Sequence, residues 1–132
     1  MCSIIGSFSR DKVLELCELN VYRGQHSHSI SYYDVQENKF TRIKRALGPI
    51  KYNDIDIPAN HYCIVHMQAP TSSAGKDIFS VHPAWIDNDV LWHNGILKEK
   101  EIKRLQEKYQ TDAGWDTYIL LQHMMSEGTP DG

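Results

Sequence analysis

No apolar run in this chain approaches the ~20 residues that a membrane-spanning helix requires. The start, Met1-Cys2-Ser3-Ile4-Ile5-Gly6, has neither the charged head nor the long apolar stretch of a secretory signal. A cytoplasmic protein without a membrane partner is therefore expected. Cysteine is scarce: Cys2, Cys17 and Cys63 are an odd number at irregular spacing, which argues against a disulfide framework. Charge of one sign is also lacking. The net charge is -3, and the lysines and arginines are interspersed with acids, so there is no field that would gather nucleic acid. Internal repeats, linkers and low-complexity tracts are absent, which predicts a single domain over residues 1–132. At 41% apolar residues, a chain of 132 can bury one core with no help from disulfides or a metal.

The pattern of apolar residues predicts strands first and helices last. Met1 to Phe8 is short and rich in β-branched residues, and it stops at Ser9-Arg10-Asp11, so it reads as a buried strand. Val13, Leu14, Leu16 and Cys17 share a helical face as far as Asn20. Ser27 to Val35 and Lys39 to Lys44 favour strands, with Glu37-Asn38 as the hairpin signal between them. Gly48 to Asn60 and Ala69 to Lys76 read as loops, His61 to Gln68 as a strand between them. Phe79 to Ile86 is expected to be extended, and Asp87-Asn88-Asp89 turns it into a strand over Val90 to His93. Helices over Lys98 to Tyr109 and from Asp116 to Gly128 complete the chain. This order predicts an α+β fold, antiparallel sheet covered by helices.

Two short segments carry chemistry. Cys2 follows the initiator methionine, and removal of Met1 leaves a thiol and a free α-amine on one carbon. With reference pKa values of ~7.7–8.0 for the amine and ~8.5 for the thiol, a base sits beside a good nucleophile near neutral pH. The bland alternative is a small buried residue at the head of a strand. At a strand end, His93-Asn94-Gly95-Ile96-Leu97 offers a side-chain amide from Asn94 and an unhindered backbone N–H at Gly95, two donors for the oxyanion of a tetrahedral intermediate. An ordinary Asn-Gly turn is the alternative there.

Taken together, the motifs resemble the glutaminase domain of class II glutamine amidotransferases, which are N-terminal-nucleophile hydrolases. Met1-Cys2-Ser3-Ile4-Ile5-Gly6 is similar to the family's Met-Cys-Gly-Ile start, and Tyr22-Arg23-Gly24-Gln25-His26-Ser27 to Tyr-Arg-Gly-Tyr-Asp-Ser. His66-Met67-Gln68-Ala69-Pro70-Thr71-Ser72-Ser73 is similar in register to His-Thr-Arg-Trp-Ala-Thr-His-Gly. His82-Pro83, His93-Asn94-Gly95-Ile96 and Asp116-Thr117 follow in family order. The resemblance spans nearly the whole chain and implies an αββα architecture, here truncated, with no cofactor.

That resemblance also implies roles. Cys2 would be the nucleophile with its own amine as base, and Asn94 and Gly95 would hold the oxyanion. Arg23 and Gly24 would wall the N-terminus, unless they form a turn with a solvated arginine. Asp116 would bind the substrate α-ammonium; the competing reading is a helix N-cap. His93 and Thr71 fall within the same substrate-binding motifs. The activity implied is release of ammonia from glutamine or a related amide, with the ammonia freed or passed to a separate acceptor synthase protein. An inactive binding or regulatory module is the alternative. Three positions depart from the family: Gln68 replaces the arginine that takes the α-carboxylate, His26 replaces an aspartate and Ser73 a glycine. His26, His28, His61, Cys63 and His66 match no standard zinc spacing, and His61 and Cys63 share a strand face from which His66 points away, so no metal is expected.

Overall fold

The computed structural model describes residues 2–23, 25–69, 81–94 and 97–127. Strand β1 (Ser3–Ser7) is followed by helix α1 (Arg10–Asn20) and a 3-10 turn over Val21–Arg23. Strands β2 (Ser27–Asp34), β3 (Lys39–Leu47) and β4 (His61–Gln68) complete a four-stranded sheet in the order β1-β4-β2-β3, with every neighbouring pair antiparallel. A separate hairpin pairs β5 (Ala84–Ile86) with β6 (Asp89–Leu91), and helices α2 (Glu99–Tyr109) and α3 (Asp116–Glu127) end the chain. The α+β class and antiparallel pairing expected from the sequence are present. Among the described residues, no helix is long and apolar enough to cross a membrane.

Local chemistry accounts for the boundaries. Ser9 caps α1 by accepting the Lys12 N–H. Asp34 turns the β2–β3 hairpin by accepting the N–H groups of Gln36 and Glu37 on one carboxylate oxygen, and Asn38 takes the left-handed backbone that the turn requires. β3 runs to Leu47, three residues beyond the expected Lys44, because the ladder to β2 continues to Ser27. The extended stretch expected from Phe79 is narrower: β5 begins at Ala84, and residues 79–80 lie outside the described set. β6 ends at Leu91 instead of continuing to His93.

Register and alternation divide the large sheet into two unlike faces. Ile5, Ile30, Tyr32, Cys63, Val65 and Met67 share one face, where Val13 and Cys17 of α1 and Ile55 of the 48–60 loop seal an apolar core. Arg10 ties that loop to α1 by donating its Nε–H to the Ile55 carbonyl at 2.7 Å. The opposite face carries Ser27, Ser29, Ser31, His66 and Gln68, all buried. Toward this polar face lie the hairpin and its flanks: the Arg45 guanidinium sits 4.5 Å from the Trp85 ring, Phe40 packs on Trp92, and His66 stacks on His82 at 4.2 Å. A smaller apolar cluster of Ala84, Trp115 and Leu121 fastens α3 to the hairpin.

Candidate active site

Cys2 stands immediately before β1, whose first pair is Ser3 with Met67; one further step of the same register sets Cys2 opposite Gln68. Asn94, distant in sequence, reaches the same place. Its side-chain Nδ2 donates to the Cys2 carbonyl at 3.1 Å. Both residues line a cavity of about 380 Å³ together with Ser3, Ile4, Ile5, Gly6, Leu16 and Asn20. The two residues that sequence reasoning singled out for nucleophile and oxyanion donor are thus brought together. Gly95, Gly24, Thr71 and the Arg23 side chain lie outside the described residues.

The three cysteines are not alike. Cys17 and Cys63 are fully buried in the apolar core, and burial pushes their thiols up to about 11 and about 12, which leaves them protonated and inert at neutral pH. Cys2 is the one that borders a cavity among those described here.

Behind the cavity runs a buried hydrogen-bond chain. Gln68 Oε1 accepts from His82 Nδ1 at 3.1 Å, which leaves His82 Nε2 as the bare nitrogen that accepts the Thr117 hydroxyl at 3.0 Å. His93 Nδ1 lies 3.5 Å from the same hydroxyl and 4.0 Å from Asp116 Oδ2. Asp116 Oδ2 in turn accepts the Leu97 N–H at 3.0 Å, so this carboxylate fastens the segment that follows Asn94. Asp116 opens α3 while serving a preceding strand-to-helix connection. Gln68 is likewise engaged in the interior, and it is absent from the described lining of the Cys2 cavity.

Burial dominates the imidazoles. The His66 ring is pushed down to about 2 by burial, with His82 adding to the shift, and His82 falls to about 4 because burial outweighs the opposing pull of Asp116, while the His93 ring lowers it and a hydrogen bond to the His93 backbone raises it. Both are neutral at physiological pH. The His66 nitrogens and the Ser27, Ser29 and Ser31 hydroxyls have no hydrogen-bond partner among the described residues. His28 donates Nδ1–H to the Gly48 carbonyl, and His26 lies ahead of β2. No group of His, Cys, Asp and Glu able to hold a metal occurs among the described residues. The His82–Thr117 link was missed by sequence reasoning; only the alternation of β4, which sends His66 and Gln68 to one face, hints at it.

Comparison of the chain with family models, curated proteins and solved structures finds no match.

Proposed function

We propose that the protein is a glutamine amidotransferase-type amidohydrolase that releases ammonia from a glutamine side-chain amide through Cys2. The observation that carries this reading is the convergence of Cys2 and Asn94 on one cavity, with the Asn94 amide 3.1 Å from the Cys2 carbonyl. The placement of α1 on one face of the large sheet and of the hairpin with α3 toward the other supports an N-terminal-nucleophile hydrolase layering with an abbreviated second sheet. Once Met1 is removed, the Cys2 amine takes the thiol proton as sulfur bonds to the amide carbon. The oxyanion formed is met by Asn94, and the family resemblance gives the N–H of Gly95, which lies outside the described residues, as the second donor. The C–N bond then breaks, nitrogen leaves as ammonia with the proton held by the amine, and water cleaves the thioester to return the thiol and a carboxylic acid.

The test is ammonia release from glutamine by the processed chain, with labelling by an electrophilic glutamine analogue. Label is expected on Cys2 alone, since Cys2 lines a described cavity while burial in the apolar core raises the other two thiols, and Cys2→Ala is expected to abolish release with the thermal transition preserved. Ammonia release that survives Cys2→Ala would overturn the reading. A second reading, an inactive binding module, is favoured by one observation: Gln68, which replaces the family's carboxylate-binding arginine, is locked to His82 in the interior.

A further inference from the structure

A β-bulge near the start of β3 sets one hydroxyl apart. The register between β2 and β3 passes from Tyr32↔Arg42 to Tyr33↔Phe40, which leaves Thr41 as the extra residue on its strand. A bulge of this kind re-aims a side chain. Here Thr41 Oγ1 reaches across β2 to β4, where it lies 2.9 Å from His61 Nε2. The other imidazole nitrogen, Nδ1, lies 2.9 Å from the Ala59 carbonyl. A carbonyl only accepts, so Nδ1 carries the proton of the neutral ring and Nε2 keeps its lone pair. The Thr41 hydroxyl therefore donates to Nε2, in preference to the Tyr32 carbonyl at 3.5 Å.

Asp34 completes the group. It pairs with His61 in the β2–β4 register, and its Oδ2 lies 3.9 Å from the same Nε2. Its other oxygen accepts the Glu37 and Gln36 amides, which hold the carboxyl below its ordinary range. A hydroxyl, an imidazole whose tautomer is fixed so that its bare nitrogen faces that hydroxyl, and a carboxylate placed to meet the imidazolium are the parts of an activated nucleophile. Thr41 is itself exposed, and it lines a cavity of about 720 Å³ walled by β3 and by the β5–β6 hairpin. Tyr33 and Phe40, packed edge-on at 5.0 Å, and Trp85, 38% exposed, give this cavity aromatic surface that suits a flat ring. Lys39 and Arg42 line it together with Glu37 and Asp87, so a polar acyl group beside that ring meets partners of either sign.

We propose that Thr41 is a nucleophile in its own right, with His61 as its base, and that it accepts the acyl group of a neutral ester whose aromatic ring enters this cavity. The Thr41 oxygen bonds to the acyl carbon while its proton passes to His61 Nε2, where Asp34 meets the charge. The ester C–O bond then breaks and the alcohol leaves with that proton, so the acyl group stays on Thr41 and the imidazole is neutral again. Neither Cys2 nor Asn94 takes part.

The experiment uses the full-length Cys2→Ala chain, in which the other nucleophile is gone, with para-nitrophenyl acetate as the ester. Nitrophenol release is followed by absorbance, and the acetylated residue is located by peptide mass spectrometry. Acetyl is expected on Thr41, with Thr41→Ser retaining the reaction and Thr41→Val losing it. His61→Ala is expected to slow acetylation of Thr41 by ~100-fold or more, the usual contribution of a positioned general base, and added imidazole to restore part of the rate. His61→Gln guards against a folding defect, because its amide can keep a hydrogen bond to Thr41 without serving as a base; a folded chain as slow as His61→Ala is expected. Acetyl found on lysines instead of Thr41, or nitrophenol release unchanged in Thr41→Val, would overturn the proposal. So would a His61→Gln chain that acetylates Thr41 as fast as its parent, which would leave the Thr41–His61 bond as a clamp between β3 and β4.

Discussion

At the residue scale, Asn94 holds the Cys2 carbonyl. In the proposed reaction its amide would also meet the negative charge that develops in the transition state. Asn94→Ala is expected to lower kcat by ~100- to 1000-fold while moving KM far less, because the donor is worth most when the oxyanion forms. Steady-state kinetics on the folded variant check this; an unchanged kcat would return Asn94 to the role of a turn residue. Gln68 invites the opposite experiment. Judged from sequence alone, restoring the family's arginine there should recover carboxylate binding. The structure buries the side chain against His82, so Gln68→Arg would place a guanidinium in an interior that holds two neutral imidazoles. The expected outcome is a loss of stability on the order of 3 kcal/mol or more, read from the denaturant midpoint.

At the element scale, β1 is the piece that carries the proposed nucleophile at its head. Gly6 faces the ring of Tyr62, and a Cβ added there would sit under 3 Å from ring carbons. Tyr62 cannot swing away freely, because Phe8 packs edge-on against it at 4.9 Å. Gly6→Ala is expected to cost about 1–3 kcal/mol by overpacking, and Tyr62→Ala in the same chain to recover much of that cost. Thermal unfolding of the two single variants and the double variant measures the coupling. Most of the elements were legible because their signals are local. The alternation of β4 fixed both its ends, and the strand stop at Ser9-Arg10-Asp11, the Glu37-Asn38 hairpin signal and the periodicity of Ile102, Leu105 and Tyr109 marked others. The meeting of Cys2 with Asn94 was legible only through motif resemblance, since nothing local announces a contact between a strand head and a distant loop. What stayed hidden was the polar layer. A run such as Ser27-His28-Ser29-Ile30-Ser31 alternates as if the serines faced water, but the hairpin and α3 pack toward that face, so the serines are buried with His66 and Gln68.

At the scale of the whole molecule, that polar layer sets how the fold responds to acid. In the folded chain His66 and His82 stay neutral down to about pH 2 and about pH 4, while in the unfolded chain both titrate near 6.5. The unfolded state therefore binds more protons below pH 6.5, and stability falls as pH falls through that window. His66 contributes a slope that approaches about 1.4 kcal/mol per pH unit between pH 6 and pH 4, and His82 comes near it around pH 5 and falls to about half of it by pH 4. The lowered carboxylates, Asp34 held by the Gln36 and Glu37 amides and Glu127 by Lys108, act in the same direction and join at the acid end, near pH 4.5 and below, so the range from pH 6 to pH 5 belongs to the histidines. Urea unfolding at pH 7.5, 6.0, 5.0 and 4.5 is expected to show a progressive loss, with the slope roughly halved in His66→Phe. Phenylalanine keeps a ring to stack on His82 and removes one of the two protons taken up on unfolding. His66→Phe also deletes two buried nitrogens that lack partners among the described residues, so at pH 7.5 it should be no less stable than the parent. A slope between pH 6 and pH 4.5 that is the same in parent and variant would mean that His66 is protonated in the folded state. The packing of the hairpin over the serine face would then have to be more open to water than the burial of His66 indicates.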